Sequence, residues 1–169
     1  MDSTKDQILG RIEADREAWA ALVDEVPRER MGEPGPMGEW SFRDLVSHLL
    51  AWRNRTIGRL EAARAGAPRV ASPWPAALTD DDPINAWFLA QDEGRSAQEL
   101  LGSYAASFTR LRDAVGALPA DAFVAESADS PGYFRWRDAD GELTSDFSGH
   151  LRDHADDVHS WLRGPARVS

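Results

Sequence analysis

The chain has 169 residues and a formal net charge of −10, from 19 basic and 29 acidic side chains. This length is typical of one globular domain, so we expect a single domain spanning residues 1–169. The sequence contains no cysteine. This excludes disulfides, thiolate metal ligands and a cysteine nucleophile, and it leaves histidine and carboxylate side chains as the candidate metal ligands.

The charge balance argues against polyanionic partners, because an acidic surface repels nucleic-acid phosphates and anionic lipids. The longest stretches without a charged residue, 70–79 and 100–109, have 10 residues each, whereas a membrane-spanning helix needs about 20. The N-terminal residues lack the basic and apolar regions of a signal peptide. We therefore expect a cytoplasmic protein with a small-molecule substrate and with neither a nucleic-acid nor a membrane partner.

Proline divides the chain into four long proline-free segments, 1–26, 37–67, 84–118 and 132–164. An interior proline breaks a helix, so long helices can form only in these segments, and each segment shows the apolar period of about 3.6 residues. In the first segment one face carries the large apolar residues Ile8, Ile12, Trp19, Leu22, Val23 and Val26.

Local start and stop signals predict where the second and fourth helices begin and where the second ends. Ser41 followed by Asp44 predicts a capping box at the start of the second helix, whose apolar face ends near Gly66. The fourth helix is expected to start near Thr144 or Ser145.

The third segment contains a break. Asp82 is predicted to cap a helix with Pro83 in its first position. Gly94 is expected to interrupt that helix, and the capping box formed by Ser96 and Glu99 restarts it.

These patterns predict an all-α protein, a four-helix bundle with long crossover connections. The connectors 27–40 and 67–82 are long and proline-rich, which permits crossovers rather than tight hairpins. The connector 119–143 is polar and has room for a short extended piece around 133–136. We find no convincing alternating strand pattern.

The histidines point to a metal site. His150 and His154 are four residues apart, so they lie on one face of the fourth helix and can reach one ion. His48 flanks the apolar stripe of the second helix, which a bundle could bring opposite that pair. Three neutral imidazoles with an open position describe a catalytic metal site. His159 points away from this face and is interpreted as a surface histidine.

Two carboxylates are candidate catalytic groups. Asp157 lies on the same face as His154, where it could orient a histidine or act as a general base. Asp15 is in line with Ile12 and Trp19, where a helix would bury it. Two interpretations of Asp15 stay open: it orients a ligating histidine or a metal-bound water, or it is solvated at the edge of the bundle.

Aromatic residues could form the walls of an apolar substrate pocket. Trp52, Trp87 and Tyr104 are the candidates for this role. The alternative is that all three are ordinary core packing.

Several motifs resemble those of the DinB/YfiT-like superfamily. The run 38–41 (GEWS), followed by His48 and Trp52, resembles its second-helix signature, and the spacing from His150 to Asp157 resembles its fourth-helix motif. Within the superfamily the chain is most similar to the ClbS/DfsB branch. The segments that carry this similarity are 37–40, 82–87 and 154–162.

The resemblance implies a DinB-like four-helix bundle with a divalent metal held by three histidines, here His48, His150 and His154. Three imidazoles suit Zn, Ni, Fe or Cu, so the ion is not selected. Some relatives use a low-molecular-weight thiol as co-substrate. The ClbS-like branch is associated with self-protection against reactive, DNA-damaging metabolites through ring opening of an electrophile, and the family includes homodimers.

Two functional hypotheses follow. The first is a metal-dependent enzyme that acts on a small electrophilic metabolite, by hydrolytic ring opening or by transfer of a thiol such as mycothiol or bacillithiol, in detoxification or self-resistance. The second is a non-catalytic protein that binds or sequesters a small molecule, with a vestigial or structural metal site.

Overall fold

The computed structural model describes residues 3–67, 70–123 and 149–164. In chain order the elements are α1 (Thr4–Glu25), a 3₁₀ turn (Arg28–Arg30), β1 (Pro34–Met37), β2 (Trp40–Ser41), α2 (Phe42–Arg64), α3 (Asp81–Gln91), α4 (Ala97–Gly116), a second 3₁₀ turn (Ala120–Phe123) and α5 (His150–Arg163). The predicted all-α class is confirmed. Within these described ranges, no helix has the length and apolar character needed to span a bilayer.

The predicted capping boxes are present at the starts of α2 and α4. The Ser41 hydroxyl accepts from the Asp44 backbone N–H, and the Asp44 carboxylate accepts from the Ser41 backbone N–H. Ser96 and Glu99 form the same reciprocal pair. α2 ends at Arg64, close to Gly66 with its positive φ of 66°, as the sequence predicted.

The break in the third segment is confirmed, because α3 and α4 are separate helices on either side of Gly94. The predicted cap of α3 is wrong. The N-cap is Asp80 and the helix begins at Asp81, so Asp82 and Pro83 both lie within its first turn. Proline is tolerated there because the first-turn N–H groups have no intrahelical acceptor.

A short hairpin precedes α2, whereas the sequence showed no convincing strand pattern. β1 and β2 are antiparallel, with Met37 opposite Trp40, and Gly38 in the turn has a φ of 66°. Strands of four and two residues are too short to show alternation in a sequence. The hairpin packs against α5, and a Cβ on Gly35 would overlap the ring of Trp161.

α2 is the central helix of the bundle and packs against α3, α4 and α5, while α1 packs on α4. The least exposed large side chains of the core come from α1, α2, α4 and the second 3₁₀ turn: Ile8, Phe42, Leu45, Leu49, Ile57, Leu60, Tyr104, Phe108 and Phe123. The predicted fourth-helix start near Thr144 or Ser145 and the extended piece around 133–136 lie outside the described residues. α5 begins at His150, and Gly149 is its N-cap.

Candidate metal centre

The bundle brings His48 of α2 together with His150 and His154 of α5. One ring nitrogen from each histidine lies within 4.8 Å of the other two. The Nε2 atoms of His48 and His150 are 3.0 Å apart. Within 3–67, 70–123 and 149–164, these residues form the only group of three or more histidine, aspartate or glutamate side chains so arranged.

Burial lowers the pKa of all three imidazoles below the usual value of 6.5, which favours their neutral form at pH 7. Burial lowers the pKa of His48 to about 4, and the nearby His154 adds to the effect. Burial lowers the pKa of His150 to about 3, with contributions from His48, His154 and the Arg53 guanidinium. Burial also lowers the pKa of His154. Neutral imidazole is the form that binds a metal ion.

The donor set fits a transition-metal ion. A separation of 3.0 Å between His48 and His150 can be spanned by two Zn–N bonds of about 2.0–2.1 Å. His154 is less buried than His48 and is placed one helical turn from His150. Three nitrogen donors from two helices can therefore hold an ion and leave a side of it accessible.

Aromatic side chains surround His48. The ring centroids of Trp40 and Trp52 lie 5.4 and 6.4 Å from that of His48. Trp52 Nε1–H donates to Asn85 Oδ1 at 2.9 Å, and the Asn85 side chain raises the pKa of His48 against the effect of burial. Sequence reasoning missed Asn85, although it lies inside the 82–87 motif at the start of α3.

Asp15 is buried, with 3% of its surface exposed, so the solvated-edge interpretation is wrong. Its Oδ2 accepts the backbone N–H of Gly149 at 2.9 Å, and Oδ1 lies 3.8 Å from Arg152 Nε. Since Gly149 is the N-cap of α5, Asp15 contacts the start of the helix that carries His150. It lies outside the three-histidine group.

Asp157 is exposed on α5 and also lies outside that group. Its charge, like that of Asp153, raises the pKa of His154 against burial, so it lies near enough to act on that ring. His159 lies 3.6 Å from Glu25 on α1 and is not part of the centre. Whether Asp157 or Asp15 has a catalytic role stays a prediction.

The three predicted pocket residues have different environments. Trp87 lines a cavity between α2 and α3, and Trp52 contacts Phe88 of that cavity. Tyr104 is fully buried, and its hydroxyl accepts from Arg53 Nη2 at 2.8 Å. Arg53 is a buried charged residue that sequence reasoning missed. It lies in line with the apolar residues of α2, and the same kind of position identified Asp15 on α1.

Comparison with known proteins gives both a family and a fold. The sequence model of the mycothiol maleylpyruvate isomerase N-terminal domain matches residues 12–140, a segment that contains His48 and ends before His150. A crystal structure of an uncharacterised protein from Escherichia coli UTI89 shares the fold, with a TM-score of 0.74 and 15% identity over 96% of this chain and 95% of that chain. No curated protein matches the sequence. The chain therefore belongs to the mycothiol maleylpyruvate isomerase N-terminal domain family, within the DinB/YfiT-like superfamily.

Proposed function

We propose that the protein is a metal-dependent enzyme that adds a low-molecular-weight thiol, or water, to a small electrophilic metabolite. The observation that carries this proposal is the convergence of three neutral imidazoles from two helices within 4.8 Å of one another. The printed name of the family includes mycothiol and an isomerase, which supports the thiol form of the reaction. Three imidazole nitrogens suit Zn, Ni, Fe or Cu.

His48, His150 and His154 would hold the ion. When bound, such an ion promotes loss of a proton from a thiol or water and polarises an electrophilic substrate. The rings of Trp40 and Trp52 flank His48 and would exclude bulk water from that side of the substrate.

The carboxylates have separate roles in this proposal. Asp157, exposed and near His154, would accept the proton released by the nucleophile. Asp15 would act as a positioning residue, because it holds the N-cap of α5 and through it the backbone of His150.

The physiological setting is also a proposal. Hydrolytic ring opening of a reactive metabolite, as in the ClbS/DfsB branch, would make the protein a detoxification or self-resistance enzyme. Sequestration without catalysis is the second candidate. It is favoured by a cavity of about 410 Å³ that none of the three histidines lines.

Elemental analysis of untagged, full-length protein tests the first requirement. We expect about one transition-metal ion per chain, retained in the control variant His159→Ala and lost from the double variant His48→Ala/His154→Ala. A wild-type protein that neither contains nor takes up Zn, Ni, Fe or Cu would contradict the proposed function.

Turnover assays then separate the reactions. Maleylpyruvate and styrene oxide, each with mycothiol, with bacillithiol or with buffer alone, serve as electrophiles, and products are identified by mass spectrometry. Consumption that requires thiol supports transfer or isomerisation, and consumption without thiol supports hydrolysis. Recovery of unchanged, protein-bound electrophile supports sequestration.

A further inference from the structure

A separate cavity of about 410 Å³ lies between α2, α3 and the segment 70–73. Its volume falls within the range of about 300–1,000 Å³ that is typical of small-molecule sites. Its apolar wall includes Leu50, Val70, Trp87 and Phe88. Val70 is 50% exposed, and among the described residues it is the large apolar side chain that the fold leaves in solvent.

Three arginines, Arg55, Arg59 and Arg95, also line this cavity, in a chain whose net charge is −10. Arg95 already pairs with Asp92 at 3.0 Å. Arg55 is in a different situation: it forms no ion pair with any carboxylate of the described residues, and its guanidinium contacts two indole rings instead.

The guanidinium carbon of Arg55 lies 5.5 Å from the ring centroid of Trp52 and 5.3 Å from that of Trp74. Contacts at this distance hold a guanidinium by cation–π attraction without using its N–H groups. These N–H groups form a planar fork that matches the two oxygens of a carboxylate. The two rings therefore hold the side chain, and no acceptor among the described residues uses its N–H groups.

We propose that this cavity binds a small organic acid with an aromatic or alkyl body. Its carboxylate pairs with Arg55, and its body packs against Trp87, Phe88 and Val70. The cavity does not require a metal, so this inference is independent of the proposed metal-dependent reaction, and it shares its cavity with the sequestration candidate. Trp52 connects the two sites, since its ring lies 5.6 Å from Phe88 and 6.4 Å from His48.

The test uses full-length protein and a matched pair of probes, 1-naphthylacetate and its uncharged amide, titrated calorimetrically. We expect the acid to bind about tenfold more tightly than the amide, because a charge-assisted bidentate pair is present only with the acid. In Arg55→Gln the affinity for the acid should fall to that of the amide. The control Arg112→Gln removes the same charge from an exposed arginine on α4 and should change neither affinity.

A cavity-filling variant tests the location independently of charge. Gly58 lines the cavity, and a Cβ there meets no atom within 4 Å, so Gly58→Leu should keep the fold and abolish binding of both probes. Gly10→Leu, at an equally open position of α1, is the matched control and should bind both. Circular dichroism verifies that the variants are folded.

Three results would overturn the inference. One is equal affinity for acid and amide, or no binding of either probe at millimolar concentration. Another is loss of acid binding in His48→Ala/His154→Ala with full binding in Arg55→Gln, which would assign the carboxylate to the metal centre. The third is a change of oligomeric state in Gly58→Leu by sedimentation, which would assign the cavity to an interface between copies of the chain.

Discussion

α2 and α5 both supply histidines to the candidate metal centre, but the two helices are held in different ways. α2 has 23 residues, begins with a capping box and buries 11 side chains between Phe42 and Leu60. α5 has 14 residues and a glycine N-cap without a side-chain cap, and it buries only Leu151, Val158 and Trp161 among its apolar side chains. α2 therefore supplies much of the core, whereas α5 contributes three apolar side chains to it.

Residues of opposite charge from other parts of the chain contact the two ends of α5. At the N-terminus, Asp15 of α1 accepts the Gly149 N–H. At the C-terminus, Arg30 donates to the carbonyls of Trp161 and Leu162, each at 3.4 Å, and its guanidinium lies 4.4 Å from the Trp161 ring centroid. Both placements match the helix dipole. The two candidate metal ligands on α5, His150 and His154, are therefore carried by a helix that distant parts of the chain contact at both ends.

The largest expected effect is on metal binding, when a candidate ligand is removed from either α2 or α5. His48→Ala on α2 and His150→Ala on α5 should each weaken metal binding by more than about 100-fold, because even groups outside the ligand set contribute about 10–100-fold. The measurement is competition against a chelator of known affinity. A much larger loss from one helix than from the other would contradict a centre shared between them.

Gly35→Ala should loosen the docked helix. The new Cβ would overlap the Trp161 ring, and Gly35 has a φ of 153°, so we expect a loss of about 2–3 kcal/mol of unfolding free energy. Weaker metal binding should accompany this loss. Gly10→Ala, at an open position of α1, is the control and should be neutral or slightly stabilising. Urea unfolding measures the stability of both variants, and equal values for the two would contradict the packing argument.

Asp15→Ala should cost about 1–3 kcal/mol, because it leaves the buried Gly149 N–H without its acceptor. Metal affinity should fall by about tenfold, since His150 follows that N-cap directly. Asp15→Asn keeps an acceptor oxygen, so it should lose less stability and less metal affinity than Asp15→Ala. Arg152→Ala removes only a half-exposed partner at 3.8 Å and should change stability by less than about 1 kcal/mol. An Asp15→Ala variant with normal metal affinity would contradict the positioning role.

The smallest expected effect is on the pH dependence of stability, and it comes from Tyr104, which accepts a hydrogen bond from Arg53 between α4 and α2. Burial raises the pKa of Tyr104 to about 12 from its usual value of 10.0. Between pH 10 and 12 the unfolded chain therefore releases this proton more readily than the folded one, and stability falls as pH rises. The stability contributed by the neutral phenol is complete below pH 10. Tyr104→Phe should show a shallower decline in urea unfolding over that window, and an identical decline would contradict the burial argument.

Much of the fold could be predicted from local sequence, because capping and periodicity are local properties. The capping boxes at Ser41 and Ser96 and the break near Gly94 are where the sequence placed them. The N-cap of α3 was missed because Pro83 is tolerated anywhere in a first turn. The hairpin before α2 was missed because its strands are too short to show a period.

The candidate site likewise has features that local sequence predicts and features that it does not. The i, i+4 spacing of His150 and His154 placed them on one helix face without any knowledge of the fold. Asn85 acts on His48 although the two residues are 37 positions apart in the chain. Asp15 and Gly149, which share a hydrogen bond, are 134 positions apart. No local pattern records such pairs.

Local sequence is sufficient to predict the helical segments and their apolar faces. It also excludes thiolate metal ligands, since the chain has no cysteine. Tertiary contacts place His150 Nε2 3.0 Å from His48 Nε2. They also bury Asp15, whose carboxylate accepts the N–H of Gly149, the N-cap residue of α5. Helix formation depends on interactions between near neighbours, whereas docking depends on packing and buried hydrogen bonds between distant segments.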